Sequence, residues 1–180
     1  MNRRHWLFLA LLAAVVSAGC FLVSGQFLVS FNFPDPLTVV SSSTLTGVPV
    51  DLNTISAYKD HKSDLKDVSD LALLGDITNL SANPTNVEVW MVPTPGALLT
   101  SDTAVRGATS AVRIWGPTTV AGNATLHVTW DASAKLFGGR QALIDQVKGD
   151  GRFDLYALGT GDEHFRINKG ALLLVVSAGK

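Results

Sequence analysis

Polar and apolar positions alternate with a period of two along most of this chain. Phe27, Val29, Phe31 and Phe33 interleave with Leu28, Ser30 and Asn32, the spacing of a half-buried strand, and Pro34 and Pro36 predict its end. The Val- and Thr-rich run LTVVSSSTLTGVPVDL predicts a second strand with a break near Gly47 and Pro49. Leu71, Leu73 and Ile77 share one side of a third, and TNVEVWMVP, after the Asn83-Pro84 turn, alternates until Pro93. VRIWG and NATLHVTW predict strands around the turn residues Gly116, Pro117, Gly122 and Asn123. RFDLYALG and GALLLVVSAG close the series, joined by the turn-rich TGDEHFRINK.

Two stretches break the period. In NTISAYKDHKSDLKDV, Ile55, Tyr58, His61 or Lys62, Leu65 and Val68 recur at helical spacing, with Asn53 or Thr54 as cap and charges of alternating sign on the other face. That face suits solvent better than a docking partner. In AKLFGGRQALIDQVK, Leu136, Phe137, Arg140, Leu143, Ile144 and Val147 follow one helix face behind a cap at Asp131 or Ser133, with Gly138 and Gly139 weakening its middle. TPGALLTSDTAVRGATSA is the least regular segment, a long loop or a loop with a short helix. Short strands between turn residues, with one or two short helices and no repeat, predict a mainly β, antiparallel sandwich or jelly-roll-like domain. Strand–helix pairs in regular alternation are missing, which argues against a doubly wound sheet.

The first two dozen residues follow neither period. Asn2, Arg3, Arg4 and His5 are followed by the apolar run Trp6 to Val16, the small residues Ser17, Ala18 and Gly19, and then Cys20, the only cysteine. This order resembles a bacterial lipoprotein export signal. The resemblance covers about 20 residues and implies a leader of residues 1–19, removed before a Cys20 whose thiol receives a diacylglyceryl group. It further implies a lipidated terminus and short tether over 20–25, and one β-rich domain over 26–180. Val16-Ser17-Ala18 also fits an ordinary leader-peptidase site, and Trp6 to Val23, about 18 residues, approaches the length that spans a bilayer. Each of the three processings exports the domain, because Arg3 and Arg4 hold the amino terminus inside. The expected location is the bacterial envelope, with the domain facing the periplasm or exterior and the membrane as partner through Cys20.

Composition then narrows the function. The chain of 180 residues suits one domain, is 47% apolar and 16% charged, and carries a formal charge of −1. No basic run offers nucleic acid a footprint. One cysteine gives neither an intrachain disulfide nor a C-x-x-C pair. No G-x-S-x-G elbow surrounds a serine, and His61 and His127 read as surface or satisfied histidines rather than bases. Asp150 and Asp154 in GDGRFD, with Asp162, Glu163 and His164 in GTGDEH, would have to converge in space to hold a metal, since neither turn alone has the ligand count; read singly, both are turns. Trp90, Trp115 and Trp130 sit in three strand-like runs and would form a platform for a glycan if exposed, or core if buried. Trp90 faces away from Val87 and Val89. The sequence thus predicts no cofactor and no resident metal, and a lipid-anchored, non-enzymatic envelope domain with a binding or structural role, its partner another envelope protein or a glycan. The competing readings are an exported carbohydrate-binding module and a metal-assisted hydrolase.

Overall fold

A computed structural model of the chain describes residues 25–42, 45–93, 96–160 and 164–179. The chain is mainly β, two antiparallel sheets packed face to face. Among the described residues nine strands run in order: β1 (Gly25–Asn32), β2 (Leu37–Val39), β3 (Val48–Asp51), β4 (Leu65–Asn79), β5 (Thr85–Val92), β6 (Val112–Val120), β7 (Thr125–Val128), β8 (Arg152–Thr160) and β9 (Phe165–Ala178). One sheet has the order β1-β9-β4-β7 with β2 also on β9, and the other β3-β8-β5-β6.

Four of the seven strand pairings are nested. β1 pairs β9, β3 pairs β8, β4 pairs β7 and β5 pairs β6, the outermost strands with each other and so on inward. The chain is therefore one long hairpin wrapped across two sheets, which is the jelly roll. β1 and β2 are successive pieces of one hairpin strand. Residues 25–32 pair with 178–171, 37–39 with 167–165, and Pro34 and Pro36 account for the gap, having no N–H to place in a ladder.

β4 and β9, the two longest strands, form the spine. Leu71, Leu73, Leu172, Leu174 and Val176 point inward against Val87, Val89, Phe153 and Leu155 of the other sheet, all buried. β4 is irregular three times along β9, and at the last bulge Gly75 has φ +148 with Asn168 O 3.1 Å from where a Cβ would sit. A larger residue would meet both the backbone strain and the neighbouring strand. A void between the sheets, beside Leu73, Val87 and Trp115, is about 20 Å³, room for one water-sized body.

Among the described residues four short α-helices accompany the strands: α1 (Ser56–Lys59), α2 (Asp102–Gly107), α3 (Trp130–Ala134) and α4 (Arg140–Lys148). The single helix expected over 53–68 is instead a 3-10 turn, α1 and a second 3-10 turn, and Leu65 to Val68 belong to β4. The reason is tertiary. β9 offers Ala178, Ser177 and Val176 as ladder partners, and sheet bonds outweigh a helical spacing that neither Asn53 nor Thr54 caps; Asp51 caps only the 3-10 turn Leu52–Thr54, and α1 starts without a side-chain cap. The expected second helix, over 134–148, forms only as α4, because α3 ends at Ala134 and residues 135–139 are not helical. Gly139 ends the break between α3 and α4, where a Cβ would lie 2.6 Å from Arg113 O, so this close approach requires the glycine. Among the described residues no helix is long and apolar enough to cross a membrane.

Candidate functional site

The three candidate tryptophans, Trp90, Trp115 and Trp130, have three fates. Trp115 is core, 2% exposed, and its indole Nε1 donates to Ser133 Oγ at 3.0 Å. Trp90 is half-buried on the outward face of the four-stranded sheet, turned away from the buried Val87 and Val89 as its alternation predicts. Trp130 is half-buried too, but as the first residue of α3 and not on a strand. β7 ends at Val128, Thr129 caps the helix, and α3 runs beside the part of β4 that β7 leaves unpaired. Ser133 makes this closure. Its fully buried hydroxyl oxygen accepts from Leu73 N of β4 at 2.8 Å and from Trp115 of β6, joining the two sheets.

Trp130 lies at an open depression of about 420 Å³, lined by Asp70, Trp130, Asp131, Ala134 and Lys135. The indole Nε1 donates to Asp70 Oδ2 at 2.8 Å. Asp70 Oδ1 accepts from Leu71 N at 2.8 Å and stands 3.8 Å from the Arg140 guanidinium, which in turn donates to Ser69 O at 2.7 Å. The ring is thereby held at a fixed angle by a chain of charged and backbone groups. Asp70 was not singled out in the sequence. Its signal is its place at the start of a strand-like run whose other members are apolar.

The second polar cluster lies on the other sheet. Glu88, 4% exposed, accepts from Trp90 Nε1 at 2.9 Å, Arg106 Nη1 at 2.8 Å and Arg113 Nη1 at 3.0 Å. Burial pushes its carboxyl up, but these donors outweigh burial and hold it below the ordinary range. Arg106 also pairs with Asp102 and lies 5.2 Å from the centre of the Trp90 ring. Every member thus fixes another, and α2 is clamped to β5. The spacing Glu88–Trp90 on a strand puts both on one face, the sequence signal that this cluster offered.

Of the acidic candidates, Asp150 and Asp154 serve different neighbourhoods. Asp150 is exposed, and its carboxylate accepts from Gln146 Nε2 at 2.5 Å and Arg152 N at 2.9 Å, while its carbonyl accepts from Asn53 and Lys62. It shapes the turn into β8. Asp154 is 3% exposed on the outward face of β8 and accepts from the Gly96 backbone; burial pushes its carboxyl up. His164 is exposed, and Asp162, Glu163 and the lipidation candidate Cys20 lie outside the described residues. Among the described residues no three His, Cys, Asp or Glu side chains gather as a metal would require. His61 lies 4.8 Å from the Phe27 ring, and exposed His127 bonds Asp76 across the strand pair.

No protein-family model matches the chain, and no curated protein matches it. Among solved structures it is similar to a chain of Desmodium yellow mottle tymovirus, at 12% identity over 87% of this chain and 91% of that one, with a TM-score of 0.32. It is also similar to a chain of turnip yellow mosaic virus, at 10% identity over 87% and 94%, with a TM-score of 0.30. Likeness at this level carries no argument about function.

Proposed function

We propose that the protein is a lipid-anchored, non-enzymatic domain of the bacterial cell envelope whose sandwich binds a partner at the surface around Trp130. The observation that carries the binding role is the half-buried Trp130 indole, hydrogen-bonded to Asp70 in the lining of the open 420 Å³ depression. Buried carboxylates elsewhere are committed to holding the fold together. Glu88 takes three donors, and Asp154 holds the segment that crosses its sheet. Support for the anchor is the order of residues 3–20, together with the start of β1 at Gly25. Five residue steps reach at most about 18 Å, so a lipid on Cys20 would keep the sandwich close to the bilayer.

Intact-mass analysis of the protein extracted from bacterial membranes tests the anchor. A terminus beginning at Cys20 with added acyl mass is the expected result, and Cys20→Ala should leave an uncut precursor. A soluble product with unmodified Cys20 would remove the anchor and leave ordinary secretion.

A further inference from the structure

The depression at Trp130 is balanced in charge. Asp70 and Asp131 carry two negative charges at its lining, Lys135 one positive charge, and Arg140 stands behind Asp70 with another. An anionic ligand would meet the two carboxylates, and a cationic one would meet Lys135 and Arg140, so neither sign is selected. Exposed Asp131 and Lys135 supply an acceptor and a donor, and the half-buried Trp130 ring supplies an apolar part of the lining. The ring is already fixed by Asp70, so binding on it costs little side-chain freedom. A ligand that matches all of this is flat, uncharged, apolar on one face and ringed by hydroxyls.

We infer that this depression is a glycan-binding site, taking a neutral hexose or N-acetylhexosamine oligosaccharide with one sugar ring stacked on Trp130. The C–H face of the sugar covers the indole, its hydroxyls donate to Asp131 and to the free lone pairs of Asp70, and Lys135 donates to a sugar oxygen. The depression is open and covers only one side of a ring, which suits a unit within a polymer and not an enclosed small metabolite. Single-site affinity is therefore weak, and many copies facing one polymer would raise it by avidity. This inference deepens the binding role proposed above and is independent of the anchor, which the mass of Cys20 reports separately.

The test is titration of the full chain in detergent with two neutral probes, the β-1,4-linked tetramers of N-acetylglucosamine and of glucose, followed by calorimetry and by shifts of the indole N–H resonances in NMR. Saturable binding of at least one tetramer, with the Trp130 indole resonance moving, is the expected result. Trp130→Ala should weaken it by about tenfold or more. Because Trp130 also packs against β4, the exposed pair Asp131→Asn and Lys135→Ala keeps the test separate from folding. Each should weaken binding by roughly threefold to tenfold with the melting temperature unchanged. Absence of binding by either tetramer at about 10 mM, or binding equal in Trp130→Ala and the parent chain, overturns the inference.

Discussion

The two outward faces of the sandwich are treated in opposite ways. On the four-stranded sheet the outward side chains Glu88, Asp154, Tyr156 and Leu158 are all nearly inaccessible. Residues 96–107 cross them. Gly96 bonds Asp154, Leu99 N donates to Tyr156 Oη at 3.0 Å, and Arg106 reaches Glu88. On the five-stranded sheet the outward Leu173 and Val175 are half-buried, and Leu28 opposite Val175 is 54% exposed. Hydropathy reads these faces backwards. β9 carries the unbroken apolar run ALLLVV yet alternates in burial, while β8, with Asp154 and Tyr156 in its middle, is buried along both faces. Polar groups on a covered face act as fasteners, because a crossing loop brings backbone N–H groups that require acceptors.

Breaking the covered face should cost most. Leu158→Ala removes a fully buried side chain from the covered face of β8, and we expect a loss of about 3 kcal/mol by urea denaturation. A loss near zero would mean that the face is not covered there.

Glu88→Ala should cost somewhat less, about 2 kcal/mol, since Arg106 and Arg113 are partly exposed and can turn to water. Its contribution should also depend on pH. The Glu88 carboxyl is held below its ordinary 4.5 in the folded chain, so its stabilisation is present above that value and is lost as pH falls through the folded pKa. Thermal melts of parent and Glu88→Ala should therefore converge in acid.

Asp154 has the opposite sign. Burial raises its carboxyl above the ordinary 3.8, so the folded chain holds the proton longer than the unfolded one. Stability from this group is greatest below 3.8 and declines as pH rises through the folded pKa. Asp154→Asn should then be at least as stable as the parent at neutral pH, and its advantage should shrink in acid. A variant less stable at pH 7 than at pH 4, relative to the parent, would show that Asp154 stays charged against Gly96.

The smallest effect belongs to the uncovered face. Leu28→Ala should change stability by less than about 0.5 kcal/mol, because half of the side chain already faces water. A larger loss would show that something covers this face too.

Local pattern determined much of this protein. Alternation located most of the strands, Pro34 and Pro36 the end of β1, and Gly138 and Gly139 the weak point between α3 and α4. Trp90 lies on the face that its neighbours predict. These features depend on residues within one or two turns, where covalent geometry and burial period act directly. Tertiary structure decided everything that needed a partner from elsewhere in the chain. The nested pairing brings Leu65–Val68 to β9 and dissolves an expected helix; the end of β7 hands Trp130 to a helix and sets it against Asp70, 60 residues away in sequence. The 96–107 segment, the least regular in pattern, makes β8 an interior strand. A period of two says that one side of a strand is apolar, but which strand lies beside it and whether a loop crosses its other side are set by contacts between distant residues, and these leave no period in the sequence.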